Sequence, residues 1–168
     1  MPVTPCTTAS IISGPARFVI PFADSLIRDI DAGIFADRFG TTINHPAFVL
    51  GHLAYYAGVC VQLLGGEIDL LDADRDLYQH GVECREGSGI YPAKDDLVAF
   101  FNQRVHVAAD FIDSCDEAVF AKSSEETPFA DRLPNMGSIA SFMLEGHMTF
   151  HLGQISAWRR VAGLGPTS

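Results

Sequence analysis

One stretch near the end of the chain decides the fold, EGHMTFHLGQISAWRRVAG, residues 145–163. At 3.6 residues per turn, its side chains at His147, His151, Gln154 and Trp158 fall within an arc of about 60° on one helix face. Apolar side chains flank that face: Met143, Phe150 and Ile155. We therefore expect a long helix whose two histidines point into the apolar interior of a helical protein.

The spacing of these two histidines is compatible with metal binding. Side chains four residues apart stack on successive turns, so both imidazoles can reach one ion at about 2.0–2.1 Å. The alternative is a pair of core histidines that hydrogen-bond to their neighbours, and spacing alone favours it. A zinc-protease motif is excluded because Met148 stands where that motif needs Glu, and a di-iron carboxylate site is excluded because the chain has no ExxH pair.

A third histidine changes this balance. His52 lies on the apolar stripe of a second predicted helix over residues 45–64, between Phe48 and Tyr56. Three core-facing histidines on two helices are harder to explain as isolated core residues. Three neutral nitrogen ligands also leave coordination positions open, as in catalytic metal sites. The predicted ligands of a divalent metal ion are His52, His147 and His151.

The rest of the chain predicts an all-α protein. Its 168 residues suit a single domain over residues 1–168, of which 1–13 are expected to be a loose lead-in. The predicted helices cover 14–31, 45–64, 93–115 and 136–162. Between the second and third lies a long acidic crossover, 67–92, with a short helical piece near 72–80. Such a crossover lets two helices run parallel, which is typical of a four-helix bundle.

Local signals set several boundaries of these helices. Pro21 should kink the first helix or delay its start, and Asn135 is a plausible N-cap for the last one. The polar residues 116–134 are expected to form a loop. No segment shows the period-two alternation of a strand pair.

Composition excludes some classes of function. The formal net charge is −10, with 21 acidic against 11 basic residues, so neither nucleic acid nor an anionic membrane is an expected partner. No apolar run is expected to be long enough to span a bilayer. The start of the chain lacks the basic residues of a signal peptide, so a cytoplasmic location is expected. The four scattered cysteines are predicted to be free thiols, mostly buried.

Other polar residues are weaker candidates for the site. Gln154 could orient a ligand histidine, and Tyr56 could form a pocket wall. Arg104 lies near the apolar stripe of the third helix, where it could extend to solvent, pair with an acid such as Asp29, or bind an anion in the pocket. Three further histidines are expected outside the ligand set, at a helix start, in the crossover and in solvent: His45, His80 and His106.

Two stretches resemble a known family. NHPAFVLGHLAYYAG, residues 44–58, is similar to the second helix of the DinB-like superfamily, where a ligand histidine precedes a leucine. GHMTFHLGQISAWRRVAGLGP, residues 146–166, is similar to the last helix of that superfamily, with its H-x3-H-x-G-Q-I motif, basic pair and Gly-Pro. The resemblance implies an up-down-down-up bundle and a metal triad at His52, His147 and His151.

The same resemblance implies a function. Characterised branches include thiol-dependent transferases and an isomerase, the ion is often zinc or nickel, and many relatives are homodimers. It therefore implies a metal-dependent S-transferase that acts on a small molecule with a low-molecular-weight thiol. A metal- or small-ligand-binding bundle without catalysis is the rival hypothesis, and a dimeric helical scaffold without metal is a third.

Overall fold

The computed structural model describes residues 6–87, 89–165 and 167, and it is all-helical. Within these residues the β-structure is one isolated bridge, between Ser123 and Asn135. The α-helices are α1 (Thr8–Ile27), α2 (Pro46–Leu63), α3 (Asp72–Tyr78), α4 (Lys94–Ser114), α5 (Glu117–Phe120), α6 (Met136–Ser141) and α7 (His147–Val161). A short 3-10 helix covers Ala32–Ile34, and a π-helical turn, Phe142–Gly146, joins α6 to α7.

Helix α1 begins earlier than expected. Thr7 accepts a hydrogen bond from the Ser10 backbone N–H, and the Ser10 hydroxyl accepts one from the Thr7 N–H, which makes a reciprocal N-cap. The prediction of a loose lead-in is therefore wrong from residue 8 onward, and residues 1–5 lie outside the described residues. Pro21 does not delay the helix, because both Pro15 and Pro21 lie inside it on exposed positions.

Helix α2 follows the prediction closely. The His45 imidazole caps it by accepting a hydrogen bond from the Phe48 N–H at 3.1 Å, and Gly65, with φ of 92°, ends it. By length and composition Pro46–Leu63 could cross a membrane, contrary to the expectation for this chain. However, 78% of that stretch is buried inside the protein, as in the core helix of a helical domain.

The crossover contains its predicted short helix, α3, and the segment after α4 contains one that was not predicted. Helix α5 is a single turn inside the expected loop 116–134. Its Phe120 is buried and packs against Gly137 at the start of α6. Burial of Phe120 thus stabilises α5. The sequence did not indicate this turn, because the residues around Phe120 are mostly polar.

The last helical segment starts at its predicted cap. Asn135 accepts hydrogen bonds from the Ser138 N–H at 2.9 Å and from the Ser138 hydroxyl at 2.7 Å. The segment is not uniformly α-helical, because the backbone N–H of His147 bonds to the carbonyl of Phe142, five residues earlier. This π-turn changes the direction in which the following side chains leave the axis.

The long helices pack around one core, with α2 against α4, α3 and α7, and α1 against α4, α7 and the π-turn. Trp158 is fully buried and donates its indole N–H to the Asp37 carbonyl at 2.6 Å. Arg159 is 1% exposed and forms a two-point ion pair with Asp29 at the end of α1. These contacts fix α7 against the chain on both sides of the 3-10 helix.

Candidate metal centre

The structure brings the three predicted ligands together. His52 extends from α2, whereas His147 and His151 lie one turn apart on α7. One potential ligand atom from each lies within 4.8 Å of the other two, and the Nε2 atoms of His52 and His147 are 3.0 Å apart. Two nitrogens bound to one tetrahedral ion at 2.0–2.1 Å would be about 3.3 Å apart. One pair of nitrogens is thus close to the separation of bound ligands, and the cluster as a whole could hold a metal ion.

The position of His147 depends on the π-turn. His147 is the first residue after that turn, so its direction differs from the one an uninterrupted helix starting at Asn135 would give it. From His147 onward α7 is regular, and the four-residue spacing places the two rings 4.5 Å apart in an edge-to-face arrangement. The π-turn thus sets the helix face that carries both ligands toward α2.

A backbone carbonyl orients His52. Its Nδ1 lies 2.6 Å from the carbonyl oxygen of Tyr78, at the end of α3. A carbonyl can only accept, so Nδ1 carries the proton and donates. The lone pair of Nε2 then faces the other two histidines. This is the arrangement that orients histidine ligands in metalloproteins.

A side-chain amide orients His151. The Gln154 Oε1 atom accepts from His151 Nδ1 at 3.2 Å and from the Asn44 amide at 3.1 Å. Nδ1 of His151 is therefore the protonated nitrogen, and its Nε2 lone pair is free for a ligand. The predicted orienting role of Gln154 agrees with this contact, and Asn44 holds Gln154 in turn.

The third histidine has an unsatisfied atom. The Nδ1 atom of His147 is buried and has no hydrogen-bond partner among the described residues. It is one of four such atoms among the described residues, and of these four it alone belongs to the three histidines. Buried polar atoms are nearly always paired, so its unpaired state requires an explanation, and an ion or ligand at the cluster is one. The other nitrogen of His147, Nε2, lies 3.0 Å from Nε2 of His52, and the three histidines together could hold a divalent cation.

The electrostatics of the cluster keep its imidazoles neutral. Burial, together with the neighbouring His151, lowers the pKa of His52 to about 4 and that of His147 to about 3. Burial also lowers the pKa of His151, partly opposed by its hydrogen bond to Gln154. Neutral imidazole is the form that binds a metal. At neutral pH the site therefore presents uncharged nitrogen donors.

Aromatic rings surround the three histidines. The Phe48 ring stacks on His52 with centroids 5.7 Å apart, and the Tyr56 ring lies 4.8 Å from His52 and 5.3 Å from His147. Tyr56 therefore lies beside two of the three histidines, and its role as a pocket wall stays a prediction. Phe150 does not flank the buried face as expected, because its side chain is 67% exposed.

The remaining candidates lie elsewhere. Arg104 donates to the Asp69 carbonyl at 2.6 Å and lies over the Phe100 ring, and the acid proposed as its partner, Asp29, pairs with Arg159 instead. The other three histidines take the places expected from the sequence, at the start of α2, in the crossover and on an exposed face of α4: His45, His80 and His106.

Two contributors to the site were not found from the sequence. Asn44 lies 110 residues before Gln154, and the Tyr78 carbonyl is a backbone group that no residue type reveals. Asn44 directly precedes His45, the residue that caps α2, and that position could have indicated that Asn44 lies near the site. The carbonyl had no signal in the sequence at all.

No family model, no curated protein and no solved structure matches this chain. The geometry of the three histidines and the residues that orient them is therefore the observation from which a function can be inferred.

Proposed function

We propose that this protein is a divalent-metal protein of the three-histidine kind and that the metal serves a thiol-dependent transfer reaction. The observation that carries the first part is the convergence of His52, His147 and His151, with two of the three rings oriented by acceptors on their far side. Zinc and nickel are the ions proposed, because both accept neutral imidazole nitrogen.

We also propose that the helices form an up-down-down-up four-helix bundle of the DinB-like superfamily. The motifs in residues 44–58 and 146–165 support the family, and Pro166 of the second motif lies outside the described residues. Contacts between helix ends support the directions. Ser13, in the first two turns of α1, donates to Asp113 near the end of α4, whereas Asp29, just after α1, pairs with Arg159 near the end of α7.

The proposed chemistry follows from the charge of the site. Three neutral ligands leave the charge of a bound divalent ion uncompensated, and such an ion lowers the pKa of a coordinated thiol. The chain's residues would hold the ion and line the pocket with apolar rings such as Phe48 and Tyr56, which limit the access of water. In the transfer a carbon–sulfur bond forms, the leaving group departs with its bonding electrons, and the thiol proton passes to solvent.

Metal content tests the site directly. Protein purified without an affinity tag should contain close to one divalent ion per chain by elemental analysis, and His147→Ala should lose it. His106→Ala is the matched control, because His106 is exposed on α4 and should leave the content unchanged. Protein that takes up no zinc or nickel under any loading condition would exclude the site.

Chelation tests whether the ion joins α2 to α7. A ligand that binds only the folded state stabilises it, by about 2.7 kcal/mol when its free concentration is 100 times Kd. Removal of the metal should therefore lower the melting temperature of the wild-type protein. An unchanged melting temperature in protein that demonstrably carried metal would mean that the ion does not link the two helices.

An activity assay separates catalysis from binding alone. Holo and apo protein are incubated with several low-molecular-weight thiols and an electrophile such as an aryl halide, and the conjugate is measured. A rate that depends on the metal supports the transferase. Full metal occupancy without any such rate would favour the rival function, a metal- or small-ligand-binding bundle.

We further propose a homodimer that forms through α1. Its exposed face carries an uncharged apolar stripe, Ile11, Pro15, Phe18 and Phe22, of which Phe18 is 72% exposed. The spacing of four, three and four residues is that of a coiled-coil seam, so a second copy of the same helix can cover it. A helix of 20 residues is about 30 Å long, long enough for three turns of contact on each side.

Light scattering during size-exclusion chromatography tests the dimer. Phe18→Glu should convert a dimer of the wild-type chain into a monomer, because it places a charge in the seam. Val107→Glu is the matched control, since Val107 is also exposed but lies on α4. A monomeric wild-type protein at micromolar concentration would contradict the proposal.

The net charge of −10 further supports a protein without nucleic-acid or membrane partners, and we propose a cytoplasmic location.

A further inference from the structure

The crossover between α2 and α4 contacts the candidate metal centre at two points. The Tyr78 carbonyl accepts from Nδ1 of His52 at 2.6 Å, and the His80 backbone N–H donates to the Tyr56 hydroxyl at 2.9 Å. Tyr56 itself packs against His52 and His147. Residues 78–80 therefore form one hydrogen bond to the predicted ligand His52 and another to Tyr56, which packs beside it.

The crossover reaches this position because α2 has a glycine there. A Cβ atom at Gly51 would lie 2.1 Å from Cε1 and 2.2 Å from Cζ of the Tyr78 ring, so any larger residue would displace that ring. Tyr78 is 1% exposed, which makes it the buried anchor of α3. Gly51 is also the residue immediately before the ligand His52.

The first half of the crossover is fixed by other groups. Arg104 of α4 donates to the Asp69 carbonyl at 2.6 Å, and Gln62 of α2 donates to the Ile68 carbonyl at 3.0 Å. Residues 68–69 are therefore held independently of the histidines. The second half, from α3 to His80, is the part whose placement depends on Gly51 and on the site.

We propose that α3 and residues 79–80 form a docking element that positions His52 for metal binding, so that metal affinity and docking of this element are thermodynamically coupled. The inference deepens the proposed metal site and rests on it. When α3 is docked, the Tyr78 carbonyl holds the proton on Nδ1 and keeps Nε2 directed at the other ligands. When α3 is undocked, the His52 ring is free to rotate and to change tautomer. Since coupling is reciprocal, an ion bound at the histidines stabilises the docked crossover by the same factor.

Hydrogen exchange of the wild-type full chain, with and without Zn²⁺, tests the coupling without any substitution. Addition of Zn²⁺ should slow exchange in peptides covering residues 72–82 by about tenfold or more, the range that orienting groups contribute to metal affinity. Peptides from α4 serve as the internal reference for a general gain in stability. Failure to bind either Zn²⁺ or Ni²⁺ overturns the metal site itself, whereas binding of the ion with no extra protection in 72–82 overturns the coupling alone.

Two substitutions test the same coupling from the other side. Gly51→Ala should displace Tyr78 and weaken Zn²⁺ binding by about 10- to 100-fold, whereas Gly14→Ala, with no atom within 4 Å of its added Cβ, should bind as the wild type does. Tyr56→Phe keeps the ring but removes the acceptor for the His80 N–H, so it should speed exchange in 79–82 and weaken binding several-fold.

Tyr55→Phe is the matched control for Tyr56→Phe, because Tyr55 is the neighbouring residue on α2 and its hydroxyl makes no hydrogen bond to residues 78–80 in the described part of the chain; it should leave Zn²⁺ affinity unchanged. If Gly51→Ala does not fold, Tyr56→Phe and the wild-type exchange decide the question. Wild-type affinity and wild-type exchange in folded Tyr56→Phe would contradict the inference.

Discussion

At the scale of single residues, the site consists of buried polar groups, and burying each of them would cost free energy if it had no hydrogen-bond partner. An unpaired imidazole in an apolar interior loses its hydrogen bonds to water. His52 and His151 recover one each, from the Tyr78 carbonyl and from Gln154. For His147, the Nδ1 atom is unpaired in the described part of the chain, and the Nε2 atom lies 3.0 Å from Nε2 of His52. This arrangement is compatible with an ion held by the three histidines.

The buried thiols provide a prediction at the same scale. Cys60 is 1% exposed, and burial raises the pKa of its thiol to about 12. Since the thiolate is the nucleophile, Cys60 should resist alkylation by iodoacetamide at pH 8, whereas the exposed Cys6 should react. Peptide mapping by mass spectrometry measures both sites. Equal reaction of the two cysteines in the folded protein would contradict the prediction, and both should react in denaturant.

At the scale of elements, a π-turn and a side-chain cap control the last helical segment. The cap at Asn135 sets where the segment begins, and the π-turn sets the direction in which α7 presents its histidines. Periodicity within 147–158 could be found from the sequence because it is local. The π-turn could not, because the sequence around Phe142–Gly146 is compatible with an ordinary α-helix.

The Asn135 cap gives a stability prediction. Asn135→Ala removes the acceptor of the Ser138 N–H and should reduce the free energy of unfolding by about 1 kcal/mol. Asn135→Ser keeps an N-capping oxygen and is the matched control. Urea unfolding monitored by circular dichroism measures both variants. A loss in the serine variant as large as in the alanine variant would show that capping is not the cause.

At the scale of the whole molecule, one buried arginine joins the first long helix to the last. Arg159 donates to both carboxylate oxygens of Asp29, at 2.5 and 2.8 Å, and to the Leu26 carbonyl at 2.8 Å. It thereby fixes the end of α1 against the end of α7. The sequence placed Arg159 in a basic pair, and only the fold shows that it is buried and its neighbour Arg160 exposed.

The ion pair between Arg159 and Asp29 predicts how the stability of the protein depends on pH. The hydrogen bond from Arg159 lowers the pKa of Asp29 below its ordinary 3.8. A carboxyl with a lowered pKa in the folded state contributes stability above its unfolded pKa and loses it as the pH falls through the folded value. The wild type should therefore melt higher than Asp29→Asn at pH 6, and the difference should shrink below pH 3.8.

Thermal melts from pH 6 down to pH 2.5 measure that difference. Asp24→Asn is the control, because Asp24 lies five residues earlier, in the last turn of α1, and its carboxylate forms no ion pair in the described part of the chain. A difference between wild type and Asp29→Asn that stays constant across the whole pH range would show that the charge of Asp29 is not responsible.

The sequence by itself determined the helical class, the main helix positions and the three candidate ligands, because helix periodicity and the four-residue histidine spacing are local properties. It did not determine the groups that orient those ligands. Asn44 and Gln154 meet across 110 residues, and the Tyr78 carbonyl reaches His52 only because Gly51 admits a buried ring. Such contacts depend on how helices and the crossover pack, so the tertiary structure alone decided which nitrogen of His52 and of His151 is free to bind a metal.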